Sequence, residues 1–253
     1  MLELLRNRLA QGTQTSSFPK GAVEFPERFR GRPELTCHDC TGDPCPDCRE
    51  DAPTALVRAG RDGNAVLDLG ACLFSPEEAT GRAGCGVRFT SDHRMASSTR
   101  DGLVTPNGEP RLATALEARM RALFGRSLRL RSVVAGSCGG CEAELNALGN
   151  VVFDMARFGV QFVASPRHAD GIVITGAVNV NMRDALERTY DALPDPRLVI
   201  AVGACASSGG PFRGSPEIGG VPASIPVDLW IPGCPPHPLT VLDGLLRLLG
   251  RIA

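Results

Sequence analysis

Residues 198–210 read Leu198-Val199-Ile200-Ala201-Val202-Gly203-Ala204-Cys205-Ala206-Ser207-Ser208-Gly209-Gly210. The apolar run Leu198–Val202 is unbroken, as in a strand buried on both faces. Such a strand implies a parallel sheet covered by helices. The cysteine that follows it stands where these folds bind ligands, beyond the carboxyl ends of the strands.

The same pattern recurs outward from this stretch. Leu128–Val134 reads as a strand, then a Gly-Ser-Cys-Gly-Gly-Cys turn, then a helix through Glu142–Phe158 with Leu145, Leu148, Val152 and Met155 on one face. Ile172–Thr175 is another buried strand, and Met182–Leu193 a helix ended by Pro194. Val227–Ile231 is a further strand and Leu239–Ile252 a closing helix. Alternating strands and helices predict an α/β fold with a parallel sheet and helices on both faces. Cys138 and Cys141 follow the first strand, Cys205 follows Leu198–Val202, and Cys234 follows Val227–Ile231. Four thiols distant in sequence thus meet at one edge. Zinc would accept four thiolates. The neighbouring Gly136, Gly139, Gly140, Gly203, Gly209, Gly210 and Gly233 favour a bulkier iron–sulfur cluster, leaving it room and placing backbone N–H groups near its sulfurs.

Residues 1–105 have another texture, rich in Pro, Gly, Arg and Asp, with only short apolar runs at Thr54–Val57 and Ala65–Leu69. That suits a small fold held by a metal centre. Arg111–Leu123 places Leu112, Leu116, Met120 and Leu123 on one helical face and predicts a linking helix. The division expected is a small domain over 1–105, a linker over 106–126 and a larger domain over 127–253. The chain has 10 cysteines, and Cys37, Cys40, Cys45 and Cys48 crowd into one short stretch. In a reducing compartment such crowding points to metal ligands, whereas Cys72 alone could be a buried small hydrophobe.

A net charge of −1 gives no case for binding nucleic acid or an anionic membrane. The apolar runs are too short to span a bilayer, and Met1–Ala10 lacks the apolar core of a signal peptide. A cytoplasmic protein is expected, peripheral on the cytoplasmic side of the membrane through partner subunits. Met1–Leu9 reads as an amphipathic helix for docking on such a partner rather than on lipid.

Three motifs carry a family resemblance: Gly136-Ser-Cys138-Gly-Gly-Cys141-Glu142, Gly203-Ala-Cys205-Ala-Ser-Ser-Gly-Gly210 and Pro232-Gly-Cys234-Pro-Pro236. Residues 125–252, including Ser165–Asp170 and Met182–Leu186, resemble the small electron-transfer subunit of membrane-bound [NiFe] hydrogenases of the formate-hydrogenlyase type. The B subunit of respiratory complex I belongs to the same family. The resemblance implies a flavodoxin-like fold, a proximal [4Fe–4S] cluster on Cys138, Cys141, Cys205 and Cys234, and a large catalytic subunit as partner. Other iron–sulfur and membrane subunits complete such complexes. The complex I subunit has adjacent cysteines in its first motif, so the spacing from Cys138 to Cys141 resembles the hydrogenase branch. Val134 departs from that branch, whose members often carry Asp shortly before the Gly-Ser-Cys.

Pro26–Leu35 and the cysteines after it resemble the two-cluster ferredoxin subunit of the same complexes, so the chain resembles a fusion with a degenerate α+β ferredoxin-like domain. In such ferredoxins the fourth cysteine of each run ligates the other cluster. Ala52 stands at the fourth position of the first run, and Ser75 and Glu78 at the second and third of a run begun by Cys72. The resemblance thus implies that one cluster is lost. The other would be held by Cys45, Cys48, Cys85 and either Cys40 or Cys37. The alternative is a local site on Cys37, Cys40, Cys45 and Cys48, with zinc possible. Two [4Fe–4S] clusters and no catalytic residue are expected. A helix-dipole role accounts for Glu142, a surface loop for His168 and loop shaping for His237, and the thiols outcompete His38 as ligands.

Overall fold

Val134, Thr175, Val202 and Ile231 lie in one row across a parallel sheet, each paired in register with the next. The computed structural model describes residues 2–36, 56–59, 65–79, 86–106, 108–136 and 138–252. Helix α1 (Leu2–Gln11) buries no residue and leaves Leu2, Leu4, Leu5 and Leu9 exposed. Strand β1 (Pro33–Leu35) pairs antiparallel with β4 (Val87–Phe89). Strands β2 (Val57–Ala59), β3 (Ala65–Asp68) and β5 (Val104–Thr105) form a second antiparallel sheet. Helix α2 (Ala118–Phe124) leads into the C-terminal half.

That half runs β6 (Leu128–Val134), α3 (Gly140–Ala147), β7 (Val160–Phe162), β8 (Gly171–Thr175), β9 (Val178–Asn179) and α4 (Val180–Asp191). It continues with β10 (Leu198–Val202), α5 (Gly203–Ser208), β11 (Ile218–Gly219), β12 (Leu229–Ile231) and α6 (Pro238–Leu248). The main sheet has the order β7-β6-β8-β10-β12, all parallel. This is the flavodoxin-like order, with the topological switch point between β6 and β8. Alternate residues of each strand feed opposite faces, as the two-residue repeat requires. Leu130, Val173 and Ile200 face α3 and α6, whereas Val133, Ile172 and Val199 face α4 through Leu186. The expected α/β fold is present.

The largest departures from the sequence reading are three. Residues 111–117 are not helical; there the N–H groups of Ala113 and Leu116 donate to Ala96 and Leu248 carbonyls at 2.8 and 2.9 Å. These tertiary bonds replace helical ones. The helix after Cys141 stops at Ala147, because the Asn150 side chain accepts the Val152 and Phe153 N–H groups at 2.8 and 3.0 Å and closes a turn. Val152 consequently faces solvent rather than the core. Strand β7, three residues long, escaped the sequence reading altogether.

A separate small core joins Leu56, Leu67, Leu69, Phe74 and Leu103, with Trp230 of β12 packed against it. Ser97 and Trp230 exchange backbone hydrogen bonds at 2.9 and 2.8 Å, covering the open edge of β12. Phe18, Ala96 and Ala113 reach into the core beneath α6, which is buried along its whole length. Close approach there depends on Gly244, where an added methyl would stand 2.6 Å from the Ala96 Cβ. Gly244→Val should therefore destabilise the fold by about 1–3 kcal/mol, the usual cost of overpacking. Chemical denaturation measures it as a lowered midpoint with an unchanged slope.

Candidate metal centre

The level strand ends set out the cysteines. Beyond Val134 the chain turns at Gly136, whose φ of 127° suits glycine and whose added methyl would strike the Asn179 side chain at 2.7 Å. Cys138 follows, exposed, and Cys141 lies buried in the first turn of α3. Helix α5 begins directly after β10 and carries Cys205. Cys234 follows β12 in a Gly233-Cys234-Pro235-Pro236 loop.

These arms touch one another. The Ala204 N–H donates to the Gly233 carbonyl at 2.8 Å, tying the Cys205 arm to the Cys234 arm. A methyl on Gly203 would stand 2.6 Å from Cys141 Sγ, and one on Gly210 would stand 2.7 Å from Cys205 Sγ. Gly140 lies against both Cys138 Sγ and the Pro235 ring. The sulfurs thus rest on bare backbone, the close approach that glycine permits.

Burial pushes the Cys141 thiol up to about 12, helped by Glu142 and by Cys205, Cys234 and Cys138. Burial likewise lifts Cys234 to about 11, with Cys205 and Cys138 adding to it. Cys205 is raised by burial, Cys138 and Glu142. Thiols that hinder one another's ionisation need a cation to become thiolates, and bound metal supplies that charge. Among the described residues no three His, Cys, Asp or Glu side chains are grouped to hold a single metal ion. The donor set and its glycine cradle fit a polynuclear cluster.

Glu142 sits at the switch point and accepts a short hydrogen bond from the Thr175 hydroxyl, at the buried end of β8. Sequence reading gave Glu142 a dipole role and missed this partner. His237 caps α6, its Nδ1 accepting the Leu239 N–H at 3.2 Å, with its ring edge-on to Phe25, Phe29 and Phe153. Burial, and then His93, push its pKa down to about 4. His168 is exposed on a short 3₁₀ turn.

Cys37, His38, Cys40, Cys45, Cys48, Ala52 and Cys85 lie outside the described residues. Their flanks are described. The Thr36 N–H and hydroxyl both donate to the Gly86 carbonyl at 2.9 Å, extending the β1–β4 ladder to the residues just before Cys37 and just after Cys85. Cys72 is buried in the small core. The buried Glu78 carboxylate accepts the Leu73 and Ser75 N–H groups, each at 3.1 Å, and the Cys72 thiol at 3.4 Å. Burial and that carboxylate hold the Cys72 thiol well above its ordinary range.

A flavodoxin-like sheet with four thiols over its carboxyl edge defines a class, the cysteine-bearing α/β subunits of oxidoreductases. Within it, the chain belongs to the family of the NADH ubiquinone oxidoreductase 20 Kd subunit, which it matches over residues 138–248. It is 38% identical over 151 residues to a probable membrane-bound hydrogenase subunit of Pyrococcus furiosus, covering 59% of this chain and 90% of that one. It is 45% identical over 144 residues to the NADH-quinone oxidoreductase B subunit of Heliobacterium modesticaldum, covering 56% of this chain and 80% of the relative. Formate hydrogenlyase subunit 7 of Escherichia coli shares 39% identity over 153 residues, 60% of each chain. The family resemblance read from the three cysteine motifs holds.

At Gly203, with a φ of 92°, an added methyl meets a sulfur of the cradle directly, 2.6 Å from Cys141 Sγ. Gly203→Ala should cost about 1–3 kcal/mol in backbone strain. It should also displace Cys141, read as a lowered thermal midpoint together with reduced iron in anaerobically purified protein.

Proposed function

We propose that this chain is an iron–sulfur electron-transfer subunit of a membrane-associated, respiratory-type hydrogenase complex. In this reading Cys138, Cys141, Cys205 and Cys234 hold a proximal [4Fe–4S] cluster facing the [NiFe] site of a large subunit. The observation that carries the proposal is the convergence of three strand-end arms on one glycine-lined edge, with thiols near enough to oppose one another's ionisation. When bound, the cluster supplies one-electron uptake and release. The chain's residues hold it, bare it on one side and shield it on the other. Cys138 is exposed, which suits docking of a large subunit. Cys234 lines a cleft of about 240 Å³ with Phe29, Phe74 and Met95 of the N-terminal unit. The edge therefore has an outer side toward a partner and an inner side toward the N-terminal unit, as a relay requires.

The N-terminal residues 1–105 are proposed to be a ferredoxin-like unit joined through 106–126 to the 127–253 domain. It would keep one [4Fe–4S] cluster on Cys45, Cys48, Cys85 and Cys40 or Cys37. The pairing of Thr36 with Gly86 supports a site that draws on both ends of the unit. The Glu78-closed loop supports loss of the second cluster, since a carboxylate accepts the N–H groups near Cys72. Among the described residues no helix is long and apolar enough to cross a membrane. Attachment is proposed through partner subunits on the cytoplasmic side.

A second reading, a complex-I-like subunit whose large partner lacks nickel, draws on the 45% identity to an NADH-quinone oxidoreductase B subunit. Sequencing the co-purifying large subunit decides between them: paired Cys-x-x-Cys nickel ligands support the hydrogenase, and their absence the alternative.

Anaerobically purified protein should contain about eight iron and eight sulfide, four of each per cubane. Alanine at Cys138, Cys141, Cys205 or Cys234 should remove about four iron and abolish electron transfer to the large subunit. Retention of full iron and activity would refute the site. In the N-terminal half, Cys85→Ser should lower iron by up to half, whereas Cys72→Ser should leave it unchanged. Unchanged iron in Cys85→Ser would instead favour the local four-cysteine site.

A further inference from the structure

Arg100 reaches from the N-terminal unit to the helix that carries Cys205. Its guanidinium pairs with the fully buried Asp68 carboxylate at both ends, Nη1 to Oδ1 at 2.7 Å and Nη2 to Oδ2 at 2.9 Å. Its Nε–H donates to the Ser207 carbonyl at 3.1 Å. The planar group lies flat on Gly70, where an added methyl would stand 2.7 Å from Cζ. Arg58, more exposed, approaches the same carboxylate at 3.4 Å. Ser207 lies in the last turn of α5, two residues beyond Cys205, where helix carbonyls lack intrahelical partners and a cation is favoured. The charge is permanent, because arginine does not deprotonate in proteins. The Nη2–Oδ2 and Nε–Ser207 bonds together fix the geometry of Arg100, unlike a lysine point charge.

We propose that Arg100 is a positioning residue for the C-terminal centre, pinning the Cys205 helix to the N-terminal unit and, with Asp68 as counter-charge, setting the reduction potential of that centre. The inference rests on the electron-transfer reading above. A fixed positive charge stabilises an added electron nearby and a negative charge opposes it. Removing Arg100 or Asp68 therefore shifts the potential in opposite directions, whereas a purely structural tie, once cut from either side, loosens the helix in the same sense.

The test is an electron-paramagnetic-resonance redox titration of the C-terminal centre in the full chain, with iron content measured beside it. Arg100→Gln should shift the midpoint to lower potential, Asp68→Asn to higher, and Arg100→Lys should stay near the parent value, all with unchanged iron. Shifts of one sign in Arg100→Gln and Asp68→Asn, or none in either, overturn the proposal. Should Asp68→Asn fail to fold, the arginine pair decides alone: equal shifts in Arg100→Lys and Arg100→Gln overturn the electrostatic role. A parent protein with no four-iron signal would mean instead that the electron-transfer reading has failed, and this inference with it. A parent signal insensitive to these variants sinks the inference alone.

Discussion

The level ending of four parallel strands is the constraint on which the rest of the structure depends. Val134, Thr175, Val202 and Ile231 share one row, so the turns beyond them start from the same height. A slip of one residue would flip every side chain of the slipped strand to the other face. It would also move its arm by about 3.3 Å, the rise of one residue. The buried residues on both faces of β8 and β10 hold the register. Hydrophobic packing beneath the edge thereby becomes positional accuracy above it.

Much of this was legible because buried parallel strands announce themselves as unbroken apolar runs. Leu198–Val202 is such a run and coincides with β10, while Leu128–Val134, broken by Arg129, Arg131 and Ser132, still coincides with β6, and the cysteine placement followed from their ends. Illegible were features set by tertiary partners. Residues 111–117 carry a helical pattern, yet their N–H groups find carbonyls elsewhere in the chain. The turn at Asn150 depends on one side chain folding back on its own backbone, a local competitor that apolar spacing does not register. Asp68, Arg100 and Ser207 are far apart in sequence and ordinary in composition, so no motif marks their meeting.

The loop from Cys72 to Glu78 shows how one buried carboxylate organises a turn. Backbone N–H groups turned toward a common centre need an acceptor, and leaving them buried and unpaired would cost about 1–3 kcal/mol each. Glu78 supplies that acceptor, with its carboxylate facing Leu73, Ser75 and Cys72 together. Ser75 and Glu78, read in sequence alike as the second and third positions of a run begun by Cys72, thus differ in kind: Ser75 offers a backbone N–H, and Glu78 the anion around which the loop closes.

The backbone bridge between Ser97 and Trp230 bears on how the chain is made. Trp230 belongs to β12, far along the chain, yet its ring packs against the small core built from residues 56–103. Chains fold as they emerge, from the N-terminus, wherever the partners of each unit are already present. Here the small core waits for β12, and Ala96 waits for α6, against whose Gly244 it fits. Both halves should therefore close together only once β12 and α6 have emerged. Until then Cys72, Cys138, Cys141 and Cys205 would stay open thiols, held by neither core.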